Sequence, residues 1–146
     1  MSSYIAAELR REVATRADRI CEYCPVHEDD SFFGCQVDHV VSEKHGGPTA
    51  SGNLAYACAF CNRSKGTDVG SINAASGAFV RFYNPRRDTW SDHFRLAGVK
   101  VEPLTEIGEA TTRILDINGE ERLLERNALQ AIGRFPPVEA HSRLGG

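Results

Sequence analysis

The sequence of 146 residues has no long apolar run. Its first twenty residues carry charges throughout, so they predict neither a secretion signal nor a membrane-spanning helix. Internal repeats and low-complexity segments are lacking too. Because 41% hydrophobic and 25% charged residues are ordinary for a folded protein, composition argues against a disordered chain. We therefore expect a globular cytoplasmic protein with no membrane partner.

The sequence also lacks an excess of basic residues. Its 17 Lys and Arg are outnumbered by 20 Asp and Glu, which gives a formal net charge of −3. This balance argues against a nucleic-acid partner, since such proteins usually carry a basic surface. The basic residues nevertheless gather at 63–65 and at 81–100. A locally basic face can still bind DNA, with strong dependence on salt.

A chain of this length is expected to form one domain. We predict a single domain over residues 1–133, with a core at about 20–70 and an extension at about 77–133. Residues 134–146 contain a proline pair and end in Gly-Gly, which predicts a flexible tail.

The core of the domain shows short, alternating element signals. Residues 3–19 repeat apolar side chains at helical spacing, and 35–42 are rich in β-branched residues. Glycines and a proline mark 43–53 as a loop, which is followed by a second strand at 54–58. A short helix is expected from Asn62 onward, so the predicted order is strand, loop, strand, helix.

The extension predicts more strands and two helices. Residues 79–83 alternate as a strand, with 90–96 as the partner strand and 100–101 as a third short strand. The periodicity predicts helices at 105–116, capped by Thr105, and at 120–132. The predicted fold class is therefore α+β, with an N-terminal helix, a small core, a C-terminal β-hairpin and two helices.

Four of the five cysteines form two Cys-x2-Cys pairs: Cys21, Cys24, Cys58 and Cys61. In a chain with no secretion signal, such pairs favour a metal site, although reduced or disulfide-linked cysteines are the alternative. Four thiolates fill the tetrahedral shell of Zn²⁺, so such a site is structural. The fifth cysteine, Cys35, lies on an apolar strand and is interpreted as a small buried hydrophobe.

Asp38 and His39 are adjacent polar residues on the first core strand. Neighbouring side chains of a strand point to opposite faces, which separates the two unless the strand is twisted or bulged or a backbone turn intervenes. Asn62 follows the second cysteine pair, and an amide oxygen together with a carboxylate suits Mg²⁺ or Mn²⁺. Asp38-His39 as a surface pair and Asn62 as a helix cap are the plainer alternatives.

Taken in order, several motifs resemble the HNH endonuclease family and its ββα-metal, or His-Me finger, core. They are Cys-x2-Cys, Asp-His, His-Gly-Gly, Asn-Leu and Cys-x2-Cys-Asn-Arg-Ser-Lys-Gly. The resemblance covers Cys21 to Lys65. Residues 82–107 also resemble an extension found on many small bacterial members.

The resemblance implies that His39 is the general base and that Asp38 and Asn62 bind one divalent cation. It implies that Asn53 holds the loop that orients His39, although Asn53 could be only a turn residue. Asn62 stands where the family name has histidine, which favours Mg²⁺ over softer metals. Arg63 and Lys65 are candidate phosphate contacts.

The implied function is metal-dependent hydrolysis of DNA phosphodiester bonds, which leaves 5′-phosphate and 3′-hydroxyl ends. The alternative is a zinc-stabilised module that binds nucleic acid or protein without catalysis. A thiol redox protein is a weaker third reading, because two cysteine pairs flanking a histidine site fit zinc better. Cutting both strands with one site per chain would favour a homodimer or a larger DNA-processing complex.

Overall fold

The computed structural model describes residues 4–145. Its helices are α1 (Ala7–Arg16), α2 (Ala59–Lys65), α3 (Trp90–His93), α4 (Glu106–Ile114) and α5 (Glu120–Ala131). Its strands are β1 (Cys35–His39), β2 (Leu54–Cys58), β3 (Gly70–Ile72), β4 (Phe79–Arg81), β5 (Phe94–Ala97) and β6 (Lys100–Pro103). Antiparallel pairing joins β1 to β2, β3 to β4 and β5 to β6. The molecule thus combines small sheets with helices, as the sequence predicts.

The β1–β2 hairpin runs directly into α2, in the strand, loop, strand and helix order that the sequence predicts. The first strand ends at His39, earlier than predicted, because the chain then turns into a loop with two 3₁₀ turns, Glu43–His45 and Ser51–Asn53. The helix begins at Ala59, earlier than predicted, because the second cysteine pair forms its first turn. There the Cys58 sulfur accepts the hydrogen bond from the Cys61 amide.

Helix α1 covers the β1–β2 hairpin with an apolar cluster. Its buried members are Ile5, Val13, Ala14, Ala17, Leu54 and Tyr56. The helix is shorter than the predicted 3–19, and residue 3 lies outside the described residues. It ends at Arg16 because Asp18 and Arg19 have left-handed φ angles of 54° and 58°. The Arg16 guanidinium closes the end by donating to the Ser51 and Leu54 carbonyls.

The pairing predicted for the extension is wrong at residues 90–96. Strand β4 pairs with β3, and Phe94–Ala97 pairs with β6 instead. Trp90 begins helix α3 and is buried, with its indole N–H donating to the Tyr23 carbonyl at 3.0 Å. A large aromatic ring anchored to the other half of the core explains why this stretch leaves the sheet.

Helices α4 and α5 follow the sequence expectation closely. The Thr105 hydroxyl accepts a hydrogen bond from the Gly108 amide at 3.0 Å, so the predicted cap is present. Helix α5 ends one residue before the predicted 132. Within residues 4–145, no helix is both long and apolar enough to cross a membrane.

Residues 134–145 differ from the flexible tail that we predicted, because they pack on the rest of the chain. Phe135 and Ala140 are buried. The Arg143 guanidinium donates to the carbonyls of Cys21 and Ala17, both at 3.0 Å. The C-terminal segment is thereby attached to the turn that carries the first cysteine pair.

Candidate metal centre and active site

The two cysteine pairs meet at one buried point. Their four sulfur atoms lie within 4.8 Å of one another, and the Cys24 and Cys58 sulfurs are 3.6 Å apart. A tetrahedron with metal–sulfur bonds of about 2.3 Å has sulfur–sulfur edges of about 3.8 Å. A disulfide needs a separation of about 2.05 Å, so this spacing fits a bound metal ion and not a disulfide. The four cysteines are therefore positioned to bind a metal.

Backbone bonds hold the two cysteine pairs in place. The amides of Cys24 and Cys61 donate to the sulfurs of Cys21 and Cys58, each at 3.4 Å. Inside the first pair, the Glu22 amide donates to the Tyr56 carbonyl at 2.8 Å, and the Tyr56 amide donates back to the Glu22 carboxylate at 2.9 Å. The turn after α1 is thereby fixed to the middle of β2.

Arg122 of α5 also contacts the cysteine cluster, although it was not among the residues predicted for a site. Arg122 donates to the Cys61 sulfur at 3.0 Å. Burial alone would lower the pKa of Arg122, but the charges of the neighbouring thiolates raise it above its usual value. No sequence signal marks this residue, because only the fold brings α5 to the cysteines.

Cys35 is not part of the cluster. It lies on β1, and its half-buried side chain packs against both apolar clusters of the protein. Burial raises the pKa of the Cys35 thiol well above its usual range. This environment agrees with the interpretation of Cys35 as a small hydrophobe.

An open cleft of about 740 Å³ lies beside the metal centre, between β1, the following loop and α2. Asp38, His39 and Asn62 all line it. His39 is the last residue of β1 and still pairs with Leu54, yet it lines the same cleft as Asp38, its neighbour on the strand. The structure thus brings together the three residues that the sequence predicted for one site.

The Asp38 carboxylate lies at the buried end of this cleft, with only 5% of the residue exposed. The Lys65 ammonium is 3.1 Å from its Oδ2 atom, and the Tyr23 hydroxyl donates to the same oxygen at 3.4 Å. Burial raises the pKa of Asp38 above its usual value, although the Lys65 charge acts in the opposite direction. A buried carboxylate of this kind needs a cation beside it.

Lys65 was expected to contact phosphate, but its side chain is buried. The residue is 1% exposed, and its ammonium also donates to the His39 carbonyl at 2.9 Å. It therefore lies inside the protein, where it links the Asp38 side chain to the His39 backbone. Arg63 is exposed, with its guanidinium 5.5 Å from the Phe60 ring, and it is not among the residues that line the cleft.

The His39 imidazole is held by the loop that follows β1. Its Nε2 atom is 2.9 Å from the Thr49 hydroxyl and 4.0 Å from the Glu43 carboxylate. The loop itself is fastened by Asn53, whose amide donates to the Val41 and Pro48 carbonyls at 2.9 Å each. Asn53 Oδ1 also accepts from the Val41 amide at 3.0 Å. Asn53 thus closes the loop that carries the ring's partner, Thr49.

Asn62 is the fourth residue of α2 and directly follows Cys61. Its Nδ2 atom donates to the Gln36 side chain at 2.5 Å, which leaves the amide oxygen for another partner. Oxygen donors from Asp38 and Asn62 suit Mg²⁺ or Mn²⁺, and Lys65 would share the Asp38 carboxylate with such an ion. In residues 4–145 the only group of three or more Cys, His, Asp or Glu ligands is the four-cysteine cluster.

A comparison with protein families matches the segment that contains both cysteine pairs and the cleft residues named above. Residues 21–68 match the HNH endonuclease family. The matched segment begins at Cys21 and includes Asp38, His39 and Asn62 of the cleft. Neither the curated proteins nor the solved structures gave a match to the chain.

A second cleft, of about 580 Å³, lies along β1 and shares Gln36, Val37 and His39 with the first. Its lining includes Arg10, Arg11 and Arg19 from α1 and the turn after it. These arginines lie N-terminal to the HNH segment. The sequence pattern assigns no role to the Arg10-Arg11 pair, and only the packing of α1 beside β1 places it in a cleft with His39.

Proposed function

We propose that the chain is a metal-dependent endonuclease that hydrolyses DNA phosphodiester bonds. The observation that carries the proposal is the single cleft that gathers Asp38, His39 and Asn62 of the HNH segment beside the four-cysteine centre. An open cleft admits a nucleic-acid strand, and a carboxylate, an amide and an imidazole are the groups that metal-assisted hydrolysis needs.

His39 acts as the general base in this proposal. A neutral imidazole that donates its Nε2 hydrogen to the Thr49 hydroxyl keeps Nδ1 as the proton acceptor. Nδ1 takes a proton from water as the water oxygen attacks phosphorus. The bond to the 3′-oxygen breaks and that oxygen takes a proton from solvent water, so the products are a 5′-phosphate and a 3′-hydroxyl. Asn53 and Thr49 serve to keep the ring in position.

Asp38 and Asn62 would hold one Mg²⁺ or Mn²⁺ ion. Such an ion supplies positive charge to the phosphoryl group and to the leaving oxygen. Lys65 positions the Asp38 carboxylate and the His39 backbone from the protein side. The four cysteines hold a structural Zn²⁺, which anchors the start of α2 and so positions Asn62.

The DNA backbone would be bound by the arginines of the second cleft. Arg10, Arg11 and Arg19 line the cleft that shares His39 with the first one, so phosphates flanking the cut can meet positive charge there. Arg63 remains a candidate phosphate contact. A homodimer or larger complex, and a cytoplasmic location, are parts of the proposal that rest on the sequence alone.

One observation favours a second candidate function, a zinc-stabilised binding module without catalysis. The Asp38 carboxylate already has Lys65 and Tyr23 as partners, so it is satisfied without a divalent ion. A module that only binds DNA would keep the arginine cleft but would not depend on His39.

The test is a plasmid-nicking assay with Mg²⁺, Mn²⁺ or EDTA, with zinc measured by elemental analysis. His39→Ala is compared with His45→Ala, which changes an exposed histidine of the same loop. We expect His39→Ala to lower cleavage by about 10²–10⁴-fold, the usual contribution of a general base. Zinc content and fold should not change, and His45→Ala should cleave as the native protein does. Cleavage that persists in pure His39→Ala would refute the base, whereas DNA binding with no metal-dependent nicking in the native protein would favour the binding module.

A further inference from the structure

Arg122 lies beside the cysteine cluster although it belongs to α5, in the extension. The residue is 8% exposed. Its Nη2 atom donates to the Cys61 sulfur at 3.0 Å and lies 3.7 Å from the Cys58 sulfur. Its Nη1 atom donates to the carbonyls of Leu115 at 2.7 Å and Asp116 at 3.1 Å. One guanidinium therefore joins the end of α4 to the second cysteine pair.

The charge of the metal centre explains why a cation is needed there. Four thiolates around one Zn²⁺ leave roughly two negative charges in excess, and all four cysteines are buried. Burying charge without a partner is costly. A guanidinium stays protonated in this environment and can donate to sulfur and to carbonyl oxygen at the same time.

We propose that Arg122 is a positioning residue of the metal centre, which partly neutralises the zinc-bound thiolates by N–H···S hydrogen bonds to Cys61 and Cys58. The metal centre is then completed by the extension and not by the HNH segment alone. This goes beyond the proposed nuclease function and holds whether or not the chain cleaves DNA.

Two contacts keep the guanidinium in this place. The Phe60 ring, which lies inside the second cysteine pair, is 5.7 Å from the Arg122 Cζ atom. The carbonyls of Leu115 and Asp116 hold the other edge of the guanidinium. These carbonyl bonds also define the competing explanation, in which Arg122 only closes the end of α4 and has no effect on the metal.

The same helix provides a matched control. Arg126 lies one turn further along α5 and is 1% exposed. Its guanidinium donates to the Val99 carbonyl at 2.7 Å and to the Asn118 side chain at 3.2 Å, so its bonds go to the extension. Arg122→Met and Arg126→Met thus each remove a buried arginine from one helix, but only the first removes a bond to a thiolate.

The first measurement is the zinc affinity of the full-length protein, obtained by competition with a coloured chelator. Removal of a partner that bonds to a metal ligand typically costs about 10–100-fold in metal affinity, and we expect that loss in Arg122→Met. Arg126→Met should bind zinc with the affinity of the native protein, even where its melting temperature falls. Arg122→Lys keeps the charge and should recover part of the affinity.

The second measurement is the absorption spectrum after Co²⁺ replaces Zn²⁺. A hydrogen bond to a thiolate lowers the energy of the sulfur electrons, so its loss should move the thiolate-to-cobalt band to longer wavelength in Arg122→Met. Arg126→Met should keep the native band. If Arg122→Met does not fold, the spectrum of Arg122→Lys is the test, and a shift of its thiolate-to-cobalt band from the native wavelength supports the proposal. A native band and native zinc affinity in the Arg122 variants, or equal losses in the Arg122 and Arg126 variants, would overturn it.

Discussion

Asn53 shows how much of the candidate site depends on one polar side chain. Its amide makes three hydrogen bonds to the loop backbone, at Val41 and Pro48. Gly47 also approaches this point closely, because a Cβ atom there would lie 1.7 Å from the Val41 carbonyl oxygen. This loop conformation therefore requires a glycine at position 47 and the side-chain amide of Asn53. It places the Thr49 hydroxyl within hydrogen-bond distance of His39.

We predict that Asn53→Asp destabilises this loop. A carboxylate can still accept from the Val41 amide, but it cannot donate to the two carbonyls that it would face. Unpaired buried groups cost about 1–3 kcal/mol, so the free energy of unfolding should fall by that amount in denaturant titrations. The nicking rate should fall as well, because His39 loses the support of Thr49.

The matched control for Asn53→Asp is Asn73→Asp. Asn73 also accepts backbone hydrogen bonds in a turn, from the amides of Ala75 and Ser76, but the turn is exposed and lies in the β3–β4 hairpin. Asn73 also donates to the Glu106 carboxylate at 3.4 Å. Because loss of such a surface contact costs at most about 1 kcal/mol, this variant should lose no more stability than that and should keep native nicking. Native values for Asn53→Asp would show that the loop does not depend on the amide.

Lys65 shows where residue type alone misleads. A lysine in an Arg-Ser-Lys run after a metal site is expected at a phosphate, yet the ammonium lies buried on Asp38. The spacing from Cys61 places Lys65 on α2, but which face of α2 is buried depends on β1 and Tyr23. Sequence reasoning could therefore predict that Asp38, His39 and Asn62 lie together but not the Lys65 contacts to Asp38 and to the His39 carbonyl.

At the level of helices and strands, boundaries were predictable where the chemistry is local. Strand β2 and the Thr105 cap follow their patterns, and the first cysteine pair marks the start of the HNH segment. Strand β3 was missed because a three-residue strand that begins with Gly70 is defined by its partner β4, not by its own side chains. Trp90 was assigned to a strand because its packing on Tyr23 is a long-range contact.

Helix α1 is the element that we expect to bind DNA. Arg10 and Arg11 are exposed, and in the described residues Arg11 has no hydrogen-bond or ion-pair partner. We predict that the double variant Arg10→Ala, Arg11→Ala weakens binding to a fluorescent duplex in EDTA, measured by anisotropy. Each lost phosphate contact lowers the slope of log K against log salt by about 0.9, so the slope should become shallower by about 2.

The control for this helix is Arg95→Ala. Arg95 is exposed on β5, pairs with Glu102 at 2.8 Å and lines neither cleft. Its loss should leave affinity and salt slope close to native values. If Arg95→Ala weakens DNA binding as much as the α1 variant does, the loss of affinity comes from the change in net charge, and α1 is not the binding element.

In the whole molecule, the extension and the C-terminal segment are attached to the HNH segment through the metal centre. Arg122 reaches the second cysteine pair, and Arg143 reaches the first. Trp90 adds a buried anchor on Tyr23, next to Asp38. These contacts support the proposal of one domain, in which the metal centre stabilises both parts and the open cleft lies at its edge.

The central claim is that two sites meet at the Cys61–Asn62 junction: a closed zinc site that positions α2 and an open site where cleavage takes place. The most direct measurement is zinc content and Mg²⁺-dependent plasmid nicking in the same preparation of Asn62→Ala. We predict a native zinc content and a nicking rate at least about 100-fold lower, since a lost ligand removes several kcal/mol of charge stabilisation. Native nicking with zinc retained would contradict the claim, and so would loss of zinc together with nicking.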